Sequence, residues 1–314
     1  SFFLDSQIKR LSFLSNFQNI HTKKNLISAA KISKAFQNRV DHVFLKGTAI
    51  LAINENKIIR NTRDIDILIE ESDIDRSLKI LKSIGFRKQF KNSEISAYDY
   101  PRLINKAGVI VEVHFRVLKE DHMPNCILTS SMLKNKIKGK IYDHDVFVPN
   151  IEDLVAHAIY HSSTKDYFSS GVNIIYDLDF LLRLTTKSKD EIYSHLKKYK
   201  LEKHFELFSA LLSASKDKDK ILSSIPTSRL EDLTELLIDN NLSNERLFLF
   251  NQRNKLHRFL SFRNKIKSKG FFGAMHATFI RAIRFLKETL LNTLSLKFIT
   301  KYHKYRRLKK FLNE

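Results

Sequence analysis

Asp64-Ile-Asp-Ile-Leu-Ile69 alternates carboxylate and apolar side chains before running fully apolar. Period two is the signature of an extended strand, so both aspartates fall on one face and Ile65, Ile67 and Ile69 on the other. Gly108-Val-Ile-Val-Glu-Val-His-Phe115 repeats the pattern. Ile110, Glu112 and His114 share one of its faces, and Val109, Val111, Val113 and Phe115 the other. A carboxylate in the middle of a strand this apolar is costly unless something compensates. Two neighbouring aspartates also repel each other, which a divalent cation offsets. If the two strands are neighbours, Asp64, Asp66 and Glu112 can hold one or two Mg²⁺ ions about 3.5–4 Å apart, the arrangement used for in-line phosphoryl displacement. The plain alternatives are a solvated strand face and a scaffold without activity.

The elements around these strands read as a mixed α/β (α+β) core. Residues 1–40 read as helix, with apolar positions at Ile8, Leu11 and Leu14 and again at Ile27, Ala30, Ile32 and Phe36. VFLKGTAILAI (43–53) is a short strand that ends at Lys46-Gly47 and runs into a second helix. There the unpaired amides of a helix N-terminus, together with a glycine, allow close approach of a phosphate. Ser72-Asp-Ile-Asp75 has the form of a capping box opening a helix over 73–84, and Gly85 stands where a left-handed helix-ending residue belongs. Phe86–Phe90 and Ala97–Ile104 read as strands, and a hairpin is expected around Tyr142–Val148.

Pro149-Asn150 then opens a helical half with Asn150 as a cap. The expected division is therefore a core over 1–148, a helical domain over 149–250 and a basic helical tail over 251–314. The formal net charge is +21, and it is concentrated in that tail. The tail holds 17 Lys/Arg against Glu288 and Glu314, a net of +15, which leaves +6 for the first 250 residues. Met275, Phe279, Ile283, Leu286, Leu290 and Leu294 form an apolar stripe, with Arg281, Arg284 and Glu288 opposite. Basic runs flank it at 258–269 and 301–310. A helix packed on the domain explains the stripe; docking on an anionic membrane or on nucleic acid are the functional readings. SASKDKDK (213–220) reads as a solvated loop.

The order of a Gly-containing strand–helix turn, Asp-x-Asp on a strand and one acid on a later strand resembles the nucleotidyltransferase superfamily that includes DNA polymerase beta. Within it, FLKGTAILAI, Arg60-x-x-Arg63-Asp-Ile-Asp-Ile-Leu-Ile69, SLKILKSIGF and VEVHFRV look like the bacterial uncharacterised nucleotidyltransferase family often linked to surface-polysaccharide gene clusters. The resemblance covers about residues 40–185. It implies that Asp64 and Asp66 bind Mg²⁺ (or Mn²⁺) bridging the phosphates of an NTP, and that Glu112 is the third ligand. It implies that Gly47 and Thr48 cradle the phosphates while Lys46, with Arg60, counters their charge. The reaction implied is NTP + R–OH → R–O–NMP + pyrophosphate, with positioning and electrostatics as the protein's share. A glycan or lipid-linked acceptor follows from the family association alone; a nucleic-acid acceptor and a non-catalytic nucleotide-binding scaffold are the alternatives.

Two departures stand out. Gly47-Thr48 replaces the usual Gly-Gly or Gly-Ser, and Arg63 precedes Asp64 where a small polar residue is more usual, leaving Arg63 as either a phosphate ligand or a solvated charge. His161 and Asp177 fall where that family tends to carry a histidine and an aspartate. His114, on the face of Glu112, is open between touching substrate, orienting Glu112 and a structural hydrogen bond. His157 and His161, at i and i+4, have a spacing zinc could use, but without a third ligand helix packing is the better reading. One cysteine, Cys126, excludes a disulfide framework and fits a reducing compartment. No run of ~18 uncharged apolar residues exists, which excludes a sequence-evident membrane helix. The N-terminus has an acid at position 5 and no signal-peptide core. It begins without methionine, so its first residues are expected to be missing or removed. The location expected is cytoplasmic, or peripheral at the inner face of the membrane.

Overall fold

The computed structural model describes residues 2–55, 60–89, 99–117, 127–165 and 173–216, with short pieces at 229, 231–232, 303–304, 306–308 and 310–311. The chain divides into two compact units, Ser1–Lys119 with Asn125–Asn150, and Glu120–Pro124 with Ile151–Glu314.

The first unit is mixed α/β. It opens with one continuous helix, α1 (Phe2–Phe36), within the stretch read as helix over 1–40. Its inward side carries Leu26, Ala29, Ala30, Ile32 and Phe36, all buried. Ile27 was placed on that side by spacing, yet it is 60% exposed. One position past Leu26 is a rotation of ~100°, enough to turn a side chain off a narrow stripe. Strand β1 (His42–Phe44) follows, then α2 (Lys46–Ile53), β2 (Ile65–Ile69) and α3 (Ile74–Ser83).

The Ser72–Asp75 capping box does not form. Glu71–Asp73 is instead a 3-10 turn, Asp73 takes the N-cap position, and no side chain caps the helix. Asp75 is one methylene shorter than the glutamate a capping box uses, so its reach back to the cap amide is reduced. Gly85 ends α3 at φ +98°, as expected of a left-handed helix terminator.

Two short strands, β3 (Arg87–Lys88) and β4 (Leu103–Ile104), precede β5 (Ile110–His114). The expected strands over 86–90 and 97–104 are thus shorter than the sequence suggested within the described residues. The sheet order is β1-β2-β5-β4-β3. β2 and β5 run parallel at its centre, and the other pairs are antiparallel. Ile65, Ile67, Ile69, Val111 and Val113 are fully buried on one face of this central pair. Each such side chain contributes about 1.5–3 kcal/mol by leaving water.

Helix α4 (Ile127–Lys134), unannounced in the sequence pattern, buries Leu128, Met132 and Leu133 against β1 and β2. β6 (Ile137–Ile141) and β7 (His144–Val148) then form a separate hairpin. It turns at Tyr142-Asp143, with Tyr142 at φ +52°. The hairpin closes on α2 through Gly139, where a Cβ would stand 3.0 Å from the Ala52 carbonyl carbon.

The described part of the second unit is helical: α5 (Ile151–Tyr160), α6 (Asn173–Leu184), α7 (Lys189–Lys197) and α8 (Glu202–Lys216), with a π-helical turn at His161–Lys165. Asp153, fully buried on α5, accepts from His195 Nε2 on α7 at 2.9 Å. His157 and His161 meet edge to face with ring centroids 5.8 Å apart, the packing contact preferred over zinc on the sequence alone. α8 extends through Lys216, so the first half of the SASKDKDK segment is helix rather than loop. Within the basic run 301–310, Arg307 is tied to both oxygens of Asp232 and Leu308 is fully buried, so part of that run serves the unit's own structure. Cys126 and the apolar stripe from Met275 to Leu294 lie outside the described residues.

Candidate active site

The site lies on the central parallel pair of the first unit. Asp66 and Glu112 are direct register partners across β2 and β5. Period-two patterning had already put Glu112 and His114 on one face; the parallel pairing sets Asp66 beside them. Asp66 is 2% exposed, Glu112 8% and His114 3%. One ligand atom from each of these three lies within 4.8 Å of the others. That spacing and donor set fit a divalent ion: two carboxylates suit Mg²⁺, and an added imidazole also suits Mn²⁺.

Asp64 sits one residue before β2 and outside that tight trio, half-buried. Burial, reinforced by the charge of Asp66, pushes its carboxyl up to about 6. Asp66 behaves oppositely. Burial opposes its charge, but Lys46 and His114 outweigh that penalty and hold it well below the usual carboxylate range. Lys46 Nζ donates to Asp66 Oδ1 at 2.7 Å, and His114 Nε2 donates to the same oxygen at 2.8 Å. His114 also stands 3.7 Å from Glu112 Oε2 and 4.0 Å from Asp99 Oδ2. Its principal bond is to Asp66, the hydrogen-bonded reading among those the sequence left open, with Glu112 farther off.

Lys46 reaches Asp66 from the first residue of α2, where its φ is +51°. A left-handed backbone at a non-glycine residue costs roughly 1–2 kcal/mol. Burial works against the Lys46 charge, and Asp66, Glu112 and Asp64 overcome it, raising its pKa above the usual lysine value.

Gly47 and Thr48 are both buried. The space that glycine leaves is taken by the chain itself: a Cβ there would stand 2.8 Å from Thr62 Cγ2 and 3.7 Å from Arg60 Cζ. The sequence pattern gave that space to a phosphate. The 60–62 segment lies over the turn because α1 pins it there. Asn25 Nδ2 donates to the Thr62 carbonyl and hydroxyl, each at 3.0 Å, and the Thr62 amide donates to Thr22 Oγ1 at 3.2 Å. Arg60 is half-buried and Arg63 exposed.

Arg102 was missed. Its Nε donates to Glu112 Oε1. The β4–β5 register pairs Leu103 with Val111, and one further step sets Arg102 opposite Glu112. A hairpin centred on Ala107-Gly108, read from the sequence, is the signal that could have placed it.

Compared with known families, residues 10–215, about two thirds of the chain, match the uncharacterised nucleotidyltransferase family. The chain belongs to that family. It is accordingly an enzyme of the nucleotidyltransferase class, with a mixed α/β core and a cluster of Asp66, Glu112 and His114 that could hold a metal ion. No curated protein matches it. Solved structures that are similar in part include the following three. The antibiotic-resistance factor ANT(2'')-Ia shares 14% identity at a TM-score of 0.43, over 59% of this chain and 98% of its own. An antigenic nucleotidyltransferase-like protein from Paracoccidioides brasiliensis shares 16% at 0.41, over 68% and 94%. JHP933 from Helicobacter pylori shares 14% at 0.35, over 83% and 96%. Likenesses this distant say nothing about substrate. No helix among the described residues is long and apolar enough to cross a membrane.

Proposed function

We propose that the chain transfers a nucleotidyl group from an NTP to a hydroxyl acceptor, using a divalent ion held by Asp64, Asp66 and Glu112. The observation that carries this reading is the register pairing of Asp66 with Glu112 on parallel strands, two buried carboxylates facing one way. Beside them burial, with the charge of Asp66, pushes Asp64 up to about 6, a penalty that a bound cation would relieve. Mg²⁺ or Mn²⁺ bound there supplies charge neutralisation for the triphosphate and lowers the pKa of the attacking hydroxyl.

The chain's own residues orient the reactants. Lys46 begins α2 and Arg60 lies against the Gly47–Thr48 turn; in this reading they, together with Arg63, carry positive charge for the phosphates. In the reaction the acceptor oxygen forms a bond to the α-phosphorus, the bond from that phosphorus to the bridging oxygen breaks, and pyrophosphate leaves. In this reading Glu112 takes the hydroxyl proton. The acceptor class we favour is a glycan or lipid-linked precursor of a surface polysaccharide, supported only by the motif resemblance. The basic segment 251–314 suits an anionic membrane surface by composition, which agrees with such an acceptor.

Incubation with each α-labelled NTP, Mg²⁺ and a cell extract tests the reading. Label is expected on a glycan or lipid fraction. Label on no fraction, with folded protein that binds NTP, would sink it. Cosedimentation with anionic liposomes but not RNA is the outcome expected of the tail.

A further inference from the structure

Both carboxylates at the centre of the site already carry a cation from the chain itself. Asp66 Oδ1 accepts from Lys46 at 2.7 Å and from His114 at 2.8 Å, so its two lone pairs are both engaged. Glu112 Oε1 accepts from Arg102 Nε. Neither basic residue belongs to the strands that carry the acids. Lys46 comes from the start of α2, by way of a left-handed backbone, and Arg102 from the residue before β4. A side chain delivered through a strained backbone marks a position held for a purpose.

We propose that Lys46 and Arg102 are internal counter-ions that keep a divalent ion from binding well until a nucleotide triphosphate arrives to take them over. This deepens, and rests on, the metal-dependent reading above. Asp64, Asp66 and Glu112 bring three negative charges, and Lys46 and Arg102 return two positive ones. A divalent ion entering alone must either take the oxygens that the lysine and arginine hold or bind the remaining oxygens with both cations beside it, and in each case their repulsion weakens it. When a triphosphate enters with the ion, its negative oxygens receive the displaced ammonium and guanidinium, and the repulsion is relieved. Arg102 is suited to this exchange because its side chain is 56% exposed and its fork matches phosphate oxygens. The lysine, 25% exposed, has a compact charge on a flexible stem that needs only a short swing. Metal and nucleotide affinity are then coupled, and by linkage each strengthens the other equally.

The test is Mn²⁺ affinity, read from the electron paramagnetic resonance of free Mn²⁺, on the full-length chain. Wild type, Lys46→Met, Arg102→Met and Asp66→Asn are titrated without nucleotide and with a non-hydrolysable α,β-methylene NTP. Lys46→Met and Arg102→Met are each expected to bind Mn²⁺ alone at least tenfold tighter than wild type, and to gain less than wild type when the analogue is added. Equal or weaker Mn²⁺ binding by both variants overturns the proposal and leaves the metal-dependent reading standing. If Asp66→Asn binds Mn²⁺ as wild type does, with or without the analogue, the ion lies elsewhere, and both the proposal and the metal-dependent reading fail. Circular dichroism controls for folding, and the exposed Arg102 side chain keeps that variant informative if Lys46→Met unfolds.

Discussion

Replacing Gly47 with alanine tests how the strand–helix turn is held. The added Cβ would sit 2.8 Å from Thr62 Cγ2, closer than any relaxed carbon pair. Thr62 has little freedom to retreat. It is 6% exposed, and its amide, carbonyl and hydroxyl are bonded to Thr22 and Asn25 of α1. Overpacking against a pinned neighbour costs about 1–3 kcal/mol. Alanine returns up to about 1 kcal/mol because it is the better helix former. The net expectation for Gly47→Ala is a loss of about 1–2 kcal/mol. Thr62→Ser removes the offending methyl and keeps the hydroxyl, at a cost of about 1 kcal/mol for the buried group. In the double variant the clash is gone, so Gly47→Ala becomes neutral or slightly stabilising when made on top of Thr62→Ser. The coupling energy between the two sites is therefore about 2 kcal/mol, the overpacking cost that the lost methyl relieves. Urea unfolding of all four proteins, followed by circular dichroism, measures it. Additivity within ~0.5 kcal/mol would refute the close contact. Full stability of Gly47→Ala with weakened NTP binding would return the glycine to a phosphate-cradling role.

Asp64 gives a pH signature. Its folded carboxyl titrates at about 6, above the ordinary 3.8, so its charge destabilises the fold fully above pH 6, and that penalty is relieved as pH falls from 6 toward 4. A two-unit shift corresponds to about 3 kcal/mol, so Asp64→Asn is expected to be more stable than wild type by up to that amount at pH 8 without divalent ions. The advantage fades toward pH 4, and added Mg²⁺ reduces it at pH 8; an Asp64→Asn variant less stable than wild type at every pH contradicts the raised titration. Two serine–acid pairs ahead of helices differ in what they cap. Ser188 accepts from the Glu191 amide while Glu191 bonds back to the Ser188 amide, so Ser188→Ala should cost about 1 kcal/mol in thermal unfolding. Ser72 caps nothing, and Ser72→Ala should stay within ~0.5 kcal/mol.

The parts legible in the sequence were those whose pattern is local and repeated. Asp64–Ile69 and Gly108–Phe115 each keep their carboxylates on one face and only aliphatic or aromatic side chains on the other, and a one-residue slip would turn every carboxylate onto that apolar face. The Lys46-Gly47 junction was legible as a break between strand and helix. What the sequence hid depends on partners far along the chain. β6, Ile137-Lys-Gly-Lys-Ile141, carries two lysines and a glycine, and it is a strand because Gly139 lets it close on Ala52. That Gly47 also packs against Thr62 of the same chain could not be read from its position in the motif. Arg102 has no local pattern at all; only the β4–β5 register sets it against Glu112. Asp64 and Asp66 look equivalent by spacing, yet Lys46 and His114 bond to Asp66 and outweigh its burial, while at Asp64 burial dominates.

The most direct test of the central claim is a comparison of NTP labelled at the α-phosphate with NTP labelled at the γ-phosphate, in wild type and Asp66→Asn, with and without divalent ions. Nucleotidyl transfer at this site predicts α-label on the acceptor and γ-label in pyrophosphate, only with a divalent ion and only in wild type. Transfer of γ-label to the acceptor, or equal transfer of α-label by Asp66→Asn, would contradict it.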